Sequence, residues 1–566
     1  MKVTDYIVET LIRNDIKDVF GYPGGVICHL MDSATKYADK ITFHINYHEQ
    51  ASAFSACGYA QECGKVGVAF STSGPGATNL ITGIANAYFD SIPTLFLTGQ
   101  VDTYALKGSL NIRQRGFQET DIVAMVKPIT KYAKRIDNPN DIVFELDKAF
   151  SIAKDGNPGP VLLDLPADVQ RANINLEECE SYISDEGCPV DISQIATALN
   201  RYICKAQRPC FLLGNGVKQS NSRDNIVEII HRMKIPTVFS MPAFDTLEYD
   251  DPFNYGFIGA NGHRHANFVL GKSDLIVTLG SRLDLKQVGN NRKEFVPQAQ
   301  IVRVDIDEGN LEYSVHEDDI CYRAELSKLA LAWKETSLPE VPRQWNNICS
   351  QIKQRLTTYD DENYTTLIGT FCSALPSNVV ITADVGQSEV WIAQQLHVKE
   401  GQSVHISSGH GAMGYSLPAA IGAYYASGHP VISFNGDGGI QMNLQELQFL
   451  SRENIPITVV IINNESLGMI RGFQEANFDA NYTQTTKDTG YTVPSFERIA
   501  YAYGIDYLCI ESPKDVEKFE FSKKAKIVEI KIQNDTKLNP NFGRNGLIQD
   551  QRPYLNRDTF DELMRL

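Results

Sequence analysis

Short runs of apolar and β-branched residues recur along this chain, each closed by Gly, Pro or Asn and each followed by a stretch of helical periodicity. That alternation constrains the fold more than any other feature. A strand–helix–strand connection lays the second strand parallel to the first, and a parallel sheet needs helices on both faces. VGVAFST (66–72), PTLFLTG (93–99) and GPVLLDLP (159–166) predict strands in a unit spanning 1–172. PCFLLGNG (209–216), IPTVFSM (235–241), DLIVTLGSR (274–282) and AQIVRVDID (299–307) predict a second unit over 190–335. NVVITADVG (378–386), PVISFNGDG (430–438), IPITVVIINN (455–464) and KIVEIKI (526–532) predict a third over 362–537. The expectation is an α/β chain of three doubly wound parallel-sheet domains. A polar linker is expected at 175–189 and a polar tail or lid at 538–566. The length of 566 residues agrees, at roughly 150 residues per domain.

Charge narrows the partners. Lys and Arg number 52 against 69 Asp and Glu, a formal charge of −17 that repels phosphate backbones and anionic lipid, so neither nucleic acid nor a membrane is expected as a partner. No apolar run approaches the roughly 18 residues of a membrane span. The first residues, MKVTDYIVETLIRNDIKDVF, carry charges every few positions and lack an apolar signal-peptide core. The 11 cysteines are scattered and form no CxxC pair, which favours reduced thiols over a disulfide or zinc framework. A cytoplasmic protein is expected.

The chemistry concentrates in the third unit. Gly436-Asp437-Gly438 closes one predicted strand and opens a helix, and Asn463-Asn464 closes the next strand after 24 intervening residues. GDG alone is a common turn. Here both motifs fall at the carboxyl ends of parallel strands, where ligands bind in open α/β sheets. A carboxylate, an amide oxygen and a loop carbonyl supply hard oxygen ligands for Mg²⁺, and diphosphate oxygens complete the octahedron. The glycines let backbone N–H groups and a helix N-terminus approach the diphosphate. A metal–diphosphate site is predicted.

GDG, some 25 residues, then NN resembles the signature of the thiamine-diphosphate (ThDP) enzymes. The chain is similar to their acetolactate synthase branch, with its branched-sugar carboligase relatives, over nearly its whole length. The resembling segments are FGYPGG (20–25), HEQ (48–50), TSGPGATNLITGIANAYFDSIPTLFLTGQV (72–101), GFQETDI (116–122), PGPVLLDLP (158–166), DVGQ (384–387), GAMGYSLPAAIGA (411–423) and GDGGIQMNLQEL (436–447). This resemblance implies pyrimidine-binding, central and diphosphate-binding domains in that order. It implies that Glu49 is the carboxylate at N1′ of the aminopyrimidine. Proton exchange there makes the imino tautomer that removes the C2 proton and generates the ylide. Gly25 and Gln118 join Glu49 on the catalytic side. For ThDP the resemblance implies Gln387, Ser388, Gly411, Met413, Gly436, Asp437, Gly438, Asn464 and Met469, with Asp437, Asn464 and the backbone carbonyl of Ser466 on Mg²⁺. Ser388 stands where the family has a histidine, which weakens that contact.

The resemblance also implies FAD in the central domain, at Gly280, Arg282, Asp284, Asp305 and Asn310. Asn157 stands where an FAD-contacting arginine of the family would be. The acceptor side departs most: Lys286 replaces the family's second FAD-motif arginine, Phe473 a tryptophan, Ala167 a lysine, and His410 an apolar residue. The loop before Phe117, DTYALKGSLNIRQRG, is longer. An Arg→Lys change removes a bidentate carboxylate fork. The expectation is therefore a carboligase that transfers the two-carbon unit of pyruvate to an acceptor carbonyl. Phe117, Lys286, His410 and Phe473 would line the substrate side. A keto sugar is favoured as acceptor over a second 2-keto acid. The alternatives are an ordinary acetolactate synthase condensing two pyruvates and, below it, a non-catalytic FAD-binding homologue. A homodimer or tetramer is implied, with Glu49 of one chain reaching the ThDP held by Asp437 and Asn464 of its partner.

Overall fold

A computed structural model of the protein describes residues 1–183, 191–364, 366–541 and 547–566. The predicted linker thus lies partly outside the described residues, as does 542–546 of the tail. Three six-stranded parallel sheets follow one another. The first holds β1 (Asp18–Gly21), β2 (Thr42–Ile45), β3 (Gly67–Ser71), β4 (Thr94–Gln100), β5 (Tyr132–Arg135) and β6 (Pro160–Pro166). Their order is β2-β1-β3-β4-β6-β5. The second holds β7 (Pro209–Leu213), β8 (Thr237–Phe239), β9 (Asn254–Phe257), β10 (Leu275–Leu279), β11 (Gln300–Asp305) and β12 (Ile320–Arg323), ordered β12-β11-β10-β7-β8-β9. The third holds β13 (Val380–Ala383), β14 (Ser403–Ile406), β15 (Val431–Gly436), β16 (Ile457–Asn463), β17 (Asp506–Ile510) and β18 (Lys526–Lys531), ordered β14-β13-β15-β16-β18-β17. Central strands such as β4, β6 and β16 are buried along their whole length, as continuous apolar runs in a two-sided parallel sheet must be.

The first and third sheets share the contact that positions the site. Helix Glu49–Cys63 of the first domain packs on helix Ser416–Ser427 of the third, through Ala, Ser and Gly residues that let the backbones approach. A Cβ at Gly58 would overlap the Ala419 backbone, and one at Gly422 would overlap Ser55. Across this seam the Ser55 hydroxyl donates to the Pro418 carbonyl at 2.9 Å. Burying small side chains at close approach gains dispersion without the rotamer entropy that long side chains would lose.

A 22-residue helix, Arg343–Tyr364, links the second sheet to the third. Beyond β18 the chain crosses the third domain, and the tail docks on the second. There the fully buried Arg264 donates to the carbonyls of Gln551 at 2.9 Å and Pro553 at 2.7 Å. Among the described residues every cysteine is free, and no helix is long and apolar enough to cross a membrane.

Candidate active site

Each half of the site sits at carboxyl ends of strands, where parallel-sheet topology gathers the loops. In the first domain β2 leads to His48, whose ring caps the helix by accepting from Gln50 N–H at 3.1 Å. Glu49 therefore occupies the first helical turn, where the dipole favours an anion. Its carboxylate is buried and accepts from Asn79 Nδ2 at 2.9 Å. A Cβ at Gly76 would stand 3.1 Å from Glu49 Oε1, so a side chain there would crowd the carboxylate. Glu446, fully buried in the third domain, fixes the approach to Glu49: it accepts from Asn46 Nδ2 at 3.0 Å and Tyr47 N–H at 2.8 Å. Gln118 adopts a left-handed φ of 63° and packs on Gly74 of the same TSGPG loop. A Cβ at Gly25 would meet nothing within 4 Å.

In the third domain Asp437 follows β15 and Asn464 follows β16. Asp437 Oδ2 accepts from Asn464 N–H at 3.1 Å and Oδ1 accepts from the Tyr491 hydroxyl at 2.7 Å. Burial pushes its carboxyl up to about 6, against the Tyr491 hydroxyl and the backbone N–H groups of 464–466. Asn464 Nδ2 donates to Gln387 Oε1 at 3.1 Å, which turns the Asn464 amide oxygen away, towards Ser466 N–H at 3.2 Å. The Ser466 hydroxyl is turned to the Thr485 carbonyl at 2.9 Å. A Cβ at Gly468 would overlap Gln387 Oε1, so a side chain there would displace the Gln387 amide. One carboxylate with amide and carbonyl oxygens fits Mg²⁺ that draws its remaining ligands from a diphosphate. Consistent with so sparse a set, no cluster of three His, Cys, Asp or Glu occurs among the described residues.

Asp384, at the end of β13, anchors the loop that carries Met413. Its oxygens accept from Gly414 N–H at 3.0 Å and Tyr415 N–H at 3.1 Å, while burial lifts its carboxyl to about 7. Gly411 and Gly414 take the left-handed φ values of 66° and 80° that this turn requires. The Met413 side chain, 39% exposed, reaches within 3.6 Å of a Cβ placed on Gly438, so it overhangs the GDG turn. Ser388 spends its hydroxyl on the Asp384 carbonyl at 2.9 Å. Sequence reading missed Asn79, Asp384, Glu446 and Tyr491; all four act through contacts between segments far apart in the chain.

The second domain presents the strand ends of β10 and β11. Gly280 lies against Gly214, where a Cβ would overlap the backbone. Asp305 is buried and accepts from Asp307 N–H at 2.9 Å. Asn310 N–H donates to Asp307 Oδ1 at 3.0 Å, and Asn157 Nδ2 reaches Asp307 Oδ2 at 2.7 Å across the domain boundary. Arg282 pairs with Asp284 at 3.6 Å and donates to the Phe89 carbonyl at 3.3 Å. Asp284 caps the turn holding Lys286. His410 stacks on Phe89, with centroids 5.5 Å apart and planes 8° from parallel. Lys286 and His410 thus face one junction of the three domains. Phe473, 43% exposed, stands with Met469 on the helix Gly468–Asn477, and Phe117 is 84% exposed on the first domain.

Three comparisons with protein families match in this order. Residues 1–125 match "Thiamine pyrophosphate enzyme, N-terminal TPP binding domain", 196–328 the central domain, and 384–525 the C-terminal TPP binding domain. Among curated relatives, the acetolactate synthase large subunit of Lactococcus lactis is 35% identical over 526 residues, covering 90% of this chain and 88% of the relative. The acetolactate synthase isozyme 2 large subunit of Escherichia coli K12 is 32% identical, over 89% of this chain and 90% of the relative. The probable acetolactate synthase large subunit of Methanocaldococcus jannaschii is 32% identical over 100% of this chain and 98% of its own.

Proposed function

Because this chain belongs to the thiamine pyrophosphate enzymes, in their acetolactate synthase family, we propose that it decarboxylates pyruvate and joins the resulting two-carbon unit to a second carbonyl compound. It is a ThDP-dependent carboligase. The observation that carries the reading is the paired geometry: a buried Glu49 at a helix start in the first domain, and the Asp437–Asn464–Gln387 set at strand ends in the third. Bound there, ThDP supplies the carbanion chemistry. Asp437, Asn464 and the Ser466 carbonyl would hold Mg²⁺, Gln387 the diphosphate, and Met413 the bend of the cofactor. Glu49 would hold or release the N1′ proton, and its hydrogen bond from Asn79 orients it for that task. A homodimer is part of the proposal. The apolar side chains of Met413, Met442, Met469, Ile470, Phe473 and Phe478 stand exposed around the diphosphate half, as expected of a surface that a partner's first domain covers.

FAD is proposed in the second domain. The Gly214–Gly280 contact, buried Asp305, and Arg282 lie at the carboxyl ends of β7, β10 and β11, the end at which an open parallel sheet takes a dinucleotide. The Asn157–Asp307 hydrogen bond stands where the family's arginine contact is absent.

The relatives are named acetolactate synthases, which favours a second pyruvate as acceptor and 2-acetolactate as product. A second reading, a neutral keto sugar, draws support from Lys286, a single-point cation in place of a bidentate fork. Comparing kcat/KM for pyruvate with that for keto sugars as acceptor decides. A tenfold preference for pyruvate selects acetolactate synthase, and the reverse selects the sugar.

A further inference from the structure

Gln118 stands in a backbone conformation that its surroundings have to enforce. Glu119 N–H donates to the Gly116 carbonyl at 3.1 Å, which closes a turn with Gln118 as its third residue. The φ of 63° at that place favours glycine, and strained residues of this kind cluster at functional sites. Three sets of contacts supply the constraint. A Cβ on Gly74 would stand 2.8 Å from Gln118 Cβ. The Glu119 carboxylate accepts from Lys107 N–H at 2.7 Å and Arg115 N–H at 2.8 Å, tying down the long loop before the turn. From the sheet, Gln100, the last residue of β4, donates through Nε2 to the Thr120 carbonyl at 2.7 Å. The same nitrogen donates to Asp164 Oδ2 at 2.9 Å, and Gln100 Oε1 accepts from Val101 N–H at 3.0 Å. Both amide protons and the amide oxygen are therefore engaged. Asp164 is 1% exposed in β6, in register with Thr98 of β4 and Arg135 of β5. Its Oδ1 accepts from the Thr98 hydroxyl at 2.7 Å, while Arg135 pairs with Asp137 at 2.7 Å. Burial pushes Asp164 up to about 7, with Gln100, Thr98 and Arg135 opposing and Asp121 adding to the rise. An acid inside a parallel sheet is costly, and here its oxygens serve the Gln100 amide and the Thr98 hydroxyl.

We propose that Gln100, locked in place by Asp164, is a positioning residue for Gln118, fixing the turn that carries it. The proposal rests on the carboligase reading, in which Gln118 stands on the catalytic side, and deepens it. Thr98, Asp164, Gln100 and Thr120 form one chain of hydrogen bonds, each link between 2.7 and 2.9 Å. Its base is rigid, because β4 and β6 are buried along their whole length. Without the Gln100 amide, the Thr120 carbonyl keeps only Ile122 N–H at 3.0 Å, and the turn is free to relax its strained residue. A displacement of about 1 Å in a reacting group costs roughly a hundredfold in rate. Glu49 lies outside this chain, since its carboxylate is held by Asn79 at 2.9 Å. The two groups on the catalytic side therefore respond separately.

The test is a double-mutant cycle in the purified full chain loaded with ThDP and Mg²⁺, read from pyruvate consumption and from C2 proton exchange of bound ThDP. Gln100→Leu and Gln118→Ala are each expected to lower kcat/KM for pyruvate by about ten- to a hundredfold. The double variant should lie within about twofold of Gln118→Ala, because a positioning residue has nothing left to position. C2 exchange should stay within about threefold of wild type throughout, since Glu49 keeps its own partner. Asp164→Leu should match Gln100→Leu. Asp164→Asn, which still offers Gln100 an oxygen, should recover most of the rate. If Asp164→Leu does not fold, the Gln100–Gln118 cycle decides alone. Losses that multiply in the double variant, or C2 exchange that falls in step with Gln100→Leu, would assign Gln100 a general structural role and overturn the proposal. A wild-type rate in Gln100→Leu would overturn it as well. Full activity in Gln118→Ala, or a wild type that binds ThDP and consumes no pyruvate, would remove the reading beneath the proposal and the proposal with it. Multiplying losses remove the proposal alone.

Discussion

The diphosphate end of the third domain and the three-domain junction differ in how their polar groups are satisfied. Around Asp437, carboxylate, hydroxyl, amide and backbone groups hold one another within a single sheet and its following loops. At the junction Lys286 and His410 are exposed, and Asp90 keeps one carboxylate oxygen, Oδ2, without a hydrogen bond among the described residues. A network whose members pair internally is preorganised for one fixed ligand, and the same cofactor returns every cycle. Among the described residues the junction has no such closed network. On the proposed reading, the first region holds the cofactor and the second borders the acceptor.

Glu49→Gln should break the first region most severely. Loss of the proton shuttle is expected to slow C2 proton exchange of bound ThDP by about 10²–10⁴-fold with cofactor binding retained. NMR of the exchange checks this, and a wild-type rate would remove Glu49 from the mechanism. Asp437→Ala should lower activity at limiting ThDP and Mg²⁺ by about ten- to a hundredfold, through a lost charge-assisted contact. Titrating both cofactors into that variant should recover most of the rate, and a deficit that saturating cofactor leaves untouched would mean Asp437 acts otherwise.

Lys286→Arg sharpens the comparison from the other side. Restoring a bidentate fork should raise kcat/KM for pyruvate as acceptor by about tenfold, read from acetolactate formation, and leave ThDP affinity alone. A change in ThDP affinity would show that the two regions are not separable. The smallest effect is thermal. ThDP with Mg²⁺ at a hundred times its Kd contributes about 2.7 kcal/mol, which is about 5–10 °C in Tm for domains of this size. Asp437→Ala should abolish most of that shift.

The same division governs what the sequence reveals. The central strands read clearly because burial on both faces makes them continuous apolar runs, as in β4, β6, β10, β15 and β16. The strands that escaped are mostly sheet edges. β5, β9, β12, β14 and β17 pair on one side only, and the half-exposed pattern of β17 or β12 resembles a loop. The interior β1 also escaped, because four residues, DVFG, give too short a run. GDG and NN were legible because their spacing is fixed by two adjacent strands of one sheet. Tyr491, 54 residues beyond Asp437, and Asn79, 30 beyond Glu49, carry no such spacing, for their partnerships are made by loops that only the tertiary fold brings together.

The central claim is transfer of a two-carbon unit from pyruvate, and the fate of labelled carbon tests it most directly. Pyruvate carrying ¹³C at its second and third carbons, incubated with the protein, ThDP, Mg²⁺, FAD and an unlabelled acceptor, should yield a product whose mass exceeds the acceptor's by one labelled acetaldehyde unit. With pyruvate alone the predicted product is 2-acetolactate labelled in both halves. Labelled pyruvate recovered intact, or acetaldehyde as the sole labelled product with every acceptor, would contradict the assignment of this chain as a carboligase.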